Sequence, residues 1–374
     1  MNKKNFFRQF IVVLKKSRKH QIIFGAATFL LIGLIFLSIF YFRGFLIGAR
    51  GQGGAITGKS EKENTQQDQK YVLPKGTRLI DGMPVPEEEA NRLPIGVMIE
   101  NLATVRPQSG LSEANLVYEA LAEGGITRFL AFFADDKDIP EIGPVRSARV
   151  YYLDWASELS AVYIHCGGDP YALKLAREYG MKGLDQMYNG NFFWRSSTAL
   201  APHNLFTKTT LLKQALQAKG WKNEGDFQPW LFKKEKKLNA RPTDVQDIVI
   251  NFSTSSYQVI WKYDRENNQY LRYNGGFKHL DKNSDAEITA KNVIVQYMVA
   301  KIKDPGDIKG RLGMHTIGGD KALIFHDGEV IQGIWKKASR QERTRFYDNE
   351  GKEIEFNPGT TWIEVVPPEK TVSY

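Results

Sequence analysis

A single cysteine, Cys166, stands in a chain of 374 residues. One thiol excludes an intrachain disulfide and a thiolate metal cluster built within the chain. Acidic residues are missing from the first fifty positions, which carry nine of the 51 Lys and Arg. That leaves 42 basic residues facing 42 acidic ones, so the formal charge of +9 belongs to the N-terminus. With no basic field over the rest of the chain, nucleic acid is not an expected partner. No HxxxH or HExxH spacing occurs, and neither a metal nor a cofactor is expected.

Long apolar runs are scarce too, and the exception is informative. Ile22 to Phe42 continues for 21 residues without a charge, enough to cross a hydrocarbon core of roughly 30 Å as a helix. Lys15, Lys16, Arg18, Lys19 and His20 precede it, whereas Arg43 and Arg50 follow. The positive-inside rule then predicts a single-pass anchor with residues 1–21 cytoplasmic and the rest extracytoplasmic. A cleaved signal peptide would have a shorter apolar core and a small-x-small site. Residues 43–71 hold almost nothing apolar beyond their first few positions and read as a flexible tether.

Beyond the tether, 42% hydrophobic residues allow sizeable cores. An α/β N-terminal domain, a mixed sheet with flanking helices, is expected over 72–222. A linker over 223–243 and a mostly antiparallel β C-terminal domain over 244–374 follow. In the first domain a buried strand runs from Leu93 to Glu100. Val117 to Glu123 and Ile126 to Phe133 meet across Gly124-Gly125 as a hairpin, with Arg128 opposite Leu121. In that register Glu119 and Glu123 share a face. A cross-strand ion pair is one reading of these residues, and a pair of carboxylates for glycosidic chemistry is the other.

Arg146 and Arg149 flank Ser147, a fair N-cap for a helix over Tyr151 to Leu159. Backbone N–H groups and these two guanidiniums would suit an anion at a helix N-terminus, and the other reading is that they neutralise the acidic loop of Asp135, Asp136, Asp138 and Glu141. Ala161 to Cys166 reads as a buried strand that places His165 near its C-terminal end. Asp169-Pro170 is a standard helix start, which gives Asp169 a capping role beside any binding one. Strand neighbours point to opposite faces, so Cys166 and His165 cannot form a nucleophile pair. Pro202-His203-Asn204 in a loop marks His203 and Asn204 as site candidates. In the second domain eight β-type runs are expected. Asp327-Gly328 between Ile324 to His326 and Glu329 to Ile331 is the clearest hairpin signal. Tyr270, Tyr273, Trp335 and Trp362 suit either sugar stacking or core packing.

Several segments carry a family resemblance. Arg106-Pro107-Gln108-Ser109-Gly110, Glu123-Gly124-Gly125-Ile126-Thr127-Arg128, Gly143-Pro144-Val145-Arg146-Ser147-Ala148-Arg149, His165-Cys166-Gly167-Gly168 and Ala201-Pro202-His203-Asn204-Leu205 resemble the YerB-like proteins. These are a bacterial lipoprotein family built on a domain of unknown function. Asn357-Pro358-Gly359-Thr360-Thr361-Trp362 extends the likeness into the C-terminal half. The resemblance implies a two-domain envelope protein and transfers no catalytic residue. Family members commonly carry a lipid-anchoring cysteine, for which this chain substitutes the Ile22 to Phe42 segment. The resulting reading is a membrane-anchored envelope protein that binds a wall polymer, an anionic ligand or an envelope protein partner. Its cleft would be lined by Arg128, Arg146, Ser147, Arg149, Asp169 and Asn204. The alternative is a wall-polymer hydrolase or lyase with Glu119 or Glu123 as acid/base and His165 or His203 assisting.

Overall fold

The computed structural model describes residues 73–134, 137–304 and 306–374. The expected cytoplasmic segment, anchor and tether lie outside these residues. Among those described, no helix is long and apolar enough to cross a membrane.

Strands dominate. In chain order they are β1 (Ile95–Glu100), β2 (Leu116–Leu121), β3 (Thr127–Phe133), β4 (Val162–His165) and β5 (Gly183–Asp185). Then come β6 (Ile248–Asn251), β7 (Gln258–Asp264), β8 (Gln269–Asn274) and β9 (Asn292–Tyr297). The remaining long ones are β10 (Gly318–His326), β11 (Glu329–Lys337), β12 (Arg345–Asp348) and β13 (Thr361–Val366). All eight β-type runs expected in the C-terminal half are strands. Among the described residues three α-helices accompany them: α1 (Val150–Ser157), α2 (Pro170–Glu178) and α3 (Thr209–Ala218).

Ten strands form one mixed sheet in the order β12-β11-β10-β9-β13-β2-β3-β1-β4-β5. Its N-terminal end combines the β2–β3–β1 antiparallel run with the parallel β1–β4–β5 run, in which α1 leads from β3 into β4 and α2 joins β4 to β5. Its C-terminal end is antiparallel from β12 to β9. The two halves join at a parallel seam, where Leu116 of β2 lies beside Thr361 of β13. Residues 70–374 therefore form one compact unit. A second, wholly antiparallel sheet of six strands contains β6, β7 and β8.

Period-two alternation assigns the two faces of the large sheet. Val97, Ile99, Val117, Phe129 and Trp362 pack against the six-stranded sheet and α3. Met98, Tyr118, Leu130 and Ile363 pack beneath α1 and α2. Both faces are covered, which explains why β1 and β2 are buried along their whole length. The 223–243 segment is an edge excursion: Leu231–Phe232 pairs with Glu355–Phe356, and Trp230 is buried. Tyr270, Trp335 and Trp362 are core residues.

The two expected hairpins form, with one correction. Asp327-Gly328 makes the two-residue turn, with φ of 56° and 76°, and His326 pairs with Glu329. The Gly124-Gly125 turn has three residues, because Glu123 joins it. Arg128 consequently lies opposite Ala120 and not Leu121.

A buried ion cluster ties α1 to the C-terminal half. The Glu158 carboxylate accepts from Tyr118 Oη (2.6 Å), Lys337 Nζ (2.9 Å), Thr344 N (3.1 Å) and Arg343. Burial pushes the Glu158 carboxyl up, but Lys337 and Arg343 outweigh it and hold it at about 2. A carboxylate held below its unfolded value gives stability that is complete above that value. The contribution is lost as pH falls towards the folded one. Glu158→Gln should therefore cost about 3–5 kcal/mol at pH 7, because it leaves two buried cations unpaired. It should also flatten the loss of stability between the ordinary carboxylate pKa of 4.5 and about 2. Urea unfolding at neutral and acid pH checks both, and wild-type stability at pH 7 would contradict the assignment.

Candidate functional site

The carboxyl end of β1 is where buried polar groups converge. Glu100 and Asn101 close the strand, and the loop behind them carries Arg106-Pro107-Gln108. The side chain of Asn101 has no solvent exposure. Its Oδ1 accepts from Arg106 Nε (2.8 Å), Asn274 Nδ2 (2.9 Å) and Gln108 Nε2 (3.0 Å). Its Nδ2 donates to Thr127 Oγ1 (2.7 Å) and Glu119 Oε1 (3.2 Å). Beneath it, Glu119 pairs with Arg272 of β8, and the partner strand places Glu364 directly beside Glu119. Arg272 also meets His279 Nδ1 at 2.7 Å, and His279 Nε2 lies 2.8 Å from Gln108 Oε1. Trp261 Nε1 donates to Glu364 at 2.8 Å. Burial, then the Glu119 charge, push the Glu364 carboxyl well above the usual range, against the pull of Arg272. Two adjacent carboxyls facing one guanidinium favour such a rise in one of them.

Above the network lies a cleft of about 450 Å³, lined by Val105, Arg106, Pro107, His203, Phe206 and Lys282 among others. His203 Nδ1 is 2.8 Å from Glu100 Oε2, and Arg146 Nε is 3.2 Å from Glu100 Oε1. Lys282 pairs with Glu141 at 3.2 Å and lies 5.1 Å over the Phe206 ring. Arg106 differs from these neighbours. Its bonds go to Asn101 Oδ1, Asn101 O (3.1 Å) and Ser256 O (2.8 Å), all neutral acceptors. Among the described residues no carboxylate lies within ion-pair distance of it. Burial is the first influence lowering its pKa; the Glu119 charge opposes this, and Arg272 reinforces it. Because Glu119 is already matched by Arg272, the cluster keeps one net positive charge, and a guanidinium remains ionised.

The sequence candidates fall into separate places. His203 lines the cleft, and Arg146 reaches its edge through Glu100. Asn204 serves the loop, accepting from Arg195 at 2.9 Å and donating to Ser196 O at 3.0 Å. Glu123, Arg128 and Arg149 form their own cluster: Arg149 Nη2 donates to Glu123 at 2.7 Å, and Arg128 at 3.3 Å. Burial pushes the Glu123 carboxyl up, and the two arginines bring it below the ordinary value. Glu119 and Glu123 do not act on one face. Glu119 points to the six-stranded sheet, whereas Glu123 meets the residue that caps α1. The N-cap of α1 is Arg149 and not Ser147. His165 Nδ1 contacts Gly167 O at 2.9 Å, and burial lowers its pKa. Asp169 caps α2 by accepting from Tyr171 N and sits 3.7 Å from Arg311. His165, Asp169 and His203 thus have separate partners. A general acid or base needs access to its substrate and a suitably raised pKa. Glu119 has no exposure, and Glu123 has the opposite shift.

Asn101, Arg106, Asn274 and Lys282 escaped residue-by-residue reading. For Arg106 the one signal was the Arg106-Pro107-Gln108-Ser109-Gly110 motif, which carries no spacing that names a chemistry; Asn101 and Asn274 were legible only as a strand end and a turn residue.

Fold and site together define a two-segment β-rich protein with a cationic cleft above a sealed ion network. Residues 80–222 match the family model "Protein of unknown function (DUF3048) N-terminal domain", and residues 248–363 match its C-terminal counterpart. The chain belongs to this family. It is 33% identical over 296 residues to the protein named "Putative lipoprotein YerB" from Bacillus subtilis (strain 168), covering 77% of this chain and 85% of that one. A crystal structure of the YerB protein from Bacillus subtilis superposes with a TM-score of 0.71 at 29% identity. That likeness covers 80% of this chain and 99% of the solved one.

Proposed function

We propose that this chain is an extracytoplasmic binding protein of the bacterial cell envelope. In this reading Ile22 to Phe42 anchors it with the N-terminus in the cytoplasm. The folded unit holds an anionic ligand, carried by a wall polymer or an envelope partner, in the cleft around Arg106, His203 and Lys282. The observation that supports the ligand is Arg106, a guanidinium in a cleft wall with only neutral acceptors around it. A partly buried cation left unmatched by its own protein is best satisfied by an anion from outside. The relative's name supports the location, since a lipid anchor and an apolar helix hold a domain on the same side of the membrane.

Protease added to intact cells should remove the 73–374 unit, and its full protection would contradict the orientation. Purified full-length protein should bind soluble anionic wall polymers with an affinity that weakens as salt rises. Arg106→Gln should reduce that affinity about tenfold or more. Binding that ignores both salt and the substitution would overturn the reading.

A further inference from the structure

The wall of the cleft does not end at Arg106. On the other side of Arg106-Pro107 lies a second cavity of about 350 Å³, which these two residues also line. Ala103 and the 248–363 segment, chiefly Ser256, Asn274, Phe277 and His279, complete its wall.

Three features suggest a built surface. Phe277 is 78% exposed on the two-residue edge strand Phe277–Lys278, so its ring is presented and not packed. Asn274 is only 3% exposed, and its Oδ1 has no partner although its Nδ2 is fixed by Asn101. Gly275, with φ of +63°, makes room for the guanidinium. A Cβ there would stand 2.9 Å from Arg106 Nη1 and 2.9 Å from Ser256 O.

Resting on the anion reading above, we infer that the two cavities form one groove for an acidic glycan. The charge is sparse, about one carboxylate per disaccharide. Arg106 meets the carboxylate, and Phe277 takes the apolar face of a neighbouring sugar ring. Charge counting selects this class over a dense polyanion. Lys278 is matched by Glu287, Lys282 by Glu141, and Arg146 by Glu100. One unmatched cation suits one carboxylate at a time. A ringless polyphosphate would crowd its remaining charges against these neutralised pairs and leave Phe277 without a partner.

The test is calorimetric binding of the full-length protein to three probes. These are peptidoglycan glycan chains stripped of their peptides, which carry one lactyl carboxylate per disaccharide; the same chains with that carboxylate amidated; and poly(glycerol phosphate). The stripped chains should bind at least about tenfold more tightly than either other probe. Phe277→Ala, at an exposed position that folding does not depend on, should weaken their binding about fivefold or more. It should leave poly(glycerol phosphate) unchanged. Equal binding of poly(glycerol phosphate), or an unaffected Phe277→Ala protein, overturns the glycan assignment while the anion reading stands. Failure of both anionic probes to bind overturns the anion reading and the glycan assignment with it.

Discussion

Arg272 is the group around which the rest of this structure is arranged. Its guanidinium has no solvent exposure and lies between the large sheet and the six-stranded sheet. It is surrounded by the rings of Phe129, Trp261 and Trp362 at 4.7–5.6 Å. A charge in such a place persists only with an opposite charge and well-placed acceptors. Glu119 from β2 supplies the charge, and Glu364 from β13 stands within 3.8 Å. The seam between the two family segments is therefore where the buried ion network sits. The N-terminal segment cannot satisfy it alone, since Glu119 without Arg272 would be an unpaired buried carboxylate.

The same network supports the groove. Asn101 bridges Glu119 below to Arg106 above, and Asn274 connects the six-stranded sheet to the same oxygen. Asn101 is fixed by five side-chain hydrogen bonds and Arg106 by three, so Arg106 is held in place before any ligand arrives. Preorganisation of this kind lowers the ordering cost of binding. It also explains why the groove needs both segments, since one wall comes from the loop after β1 and the other from the end of β8.

Much of the fold was legible from the sequence because local signals agreed with it. Alternating β-branched and aromatic residues marked β6 to β13, Asp327-Gly328 marked its turn, and Asp169-Pro170 marked the start of α2. The site was less legible because its partners are distant in the chain. Glu119 and Arg272 are 153 residues apart, and nothing local to either names the other. Arg146 and Arg149 looked available for an anion because Glu100 and Glu123 come from other elements. The one-residue error at Arg128 arose from assigning Glu123 to a strand when it belongs to the turn. Ser147 looked like a cap because capping chemistry is local, yet the helix starts where packing of Tyr151 and Tyr152 dictates.

The central claim is that both segments form a single cooperative unit closed around Arg272. Native-state hydrogen exchange under rising urea tests it most directly. Amides of Leu116–Leu121 and Thr361–Val366 should open only by global unfolding, with one shared free energy and one denaturant dependence. Residues 80–222 keeping their protection while 248–363 exchange through a separate, lower-energy opening would contradict it.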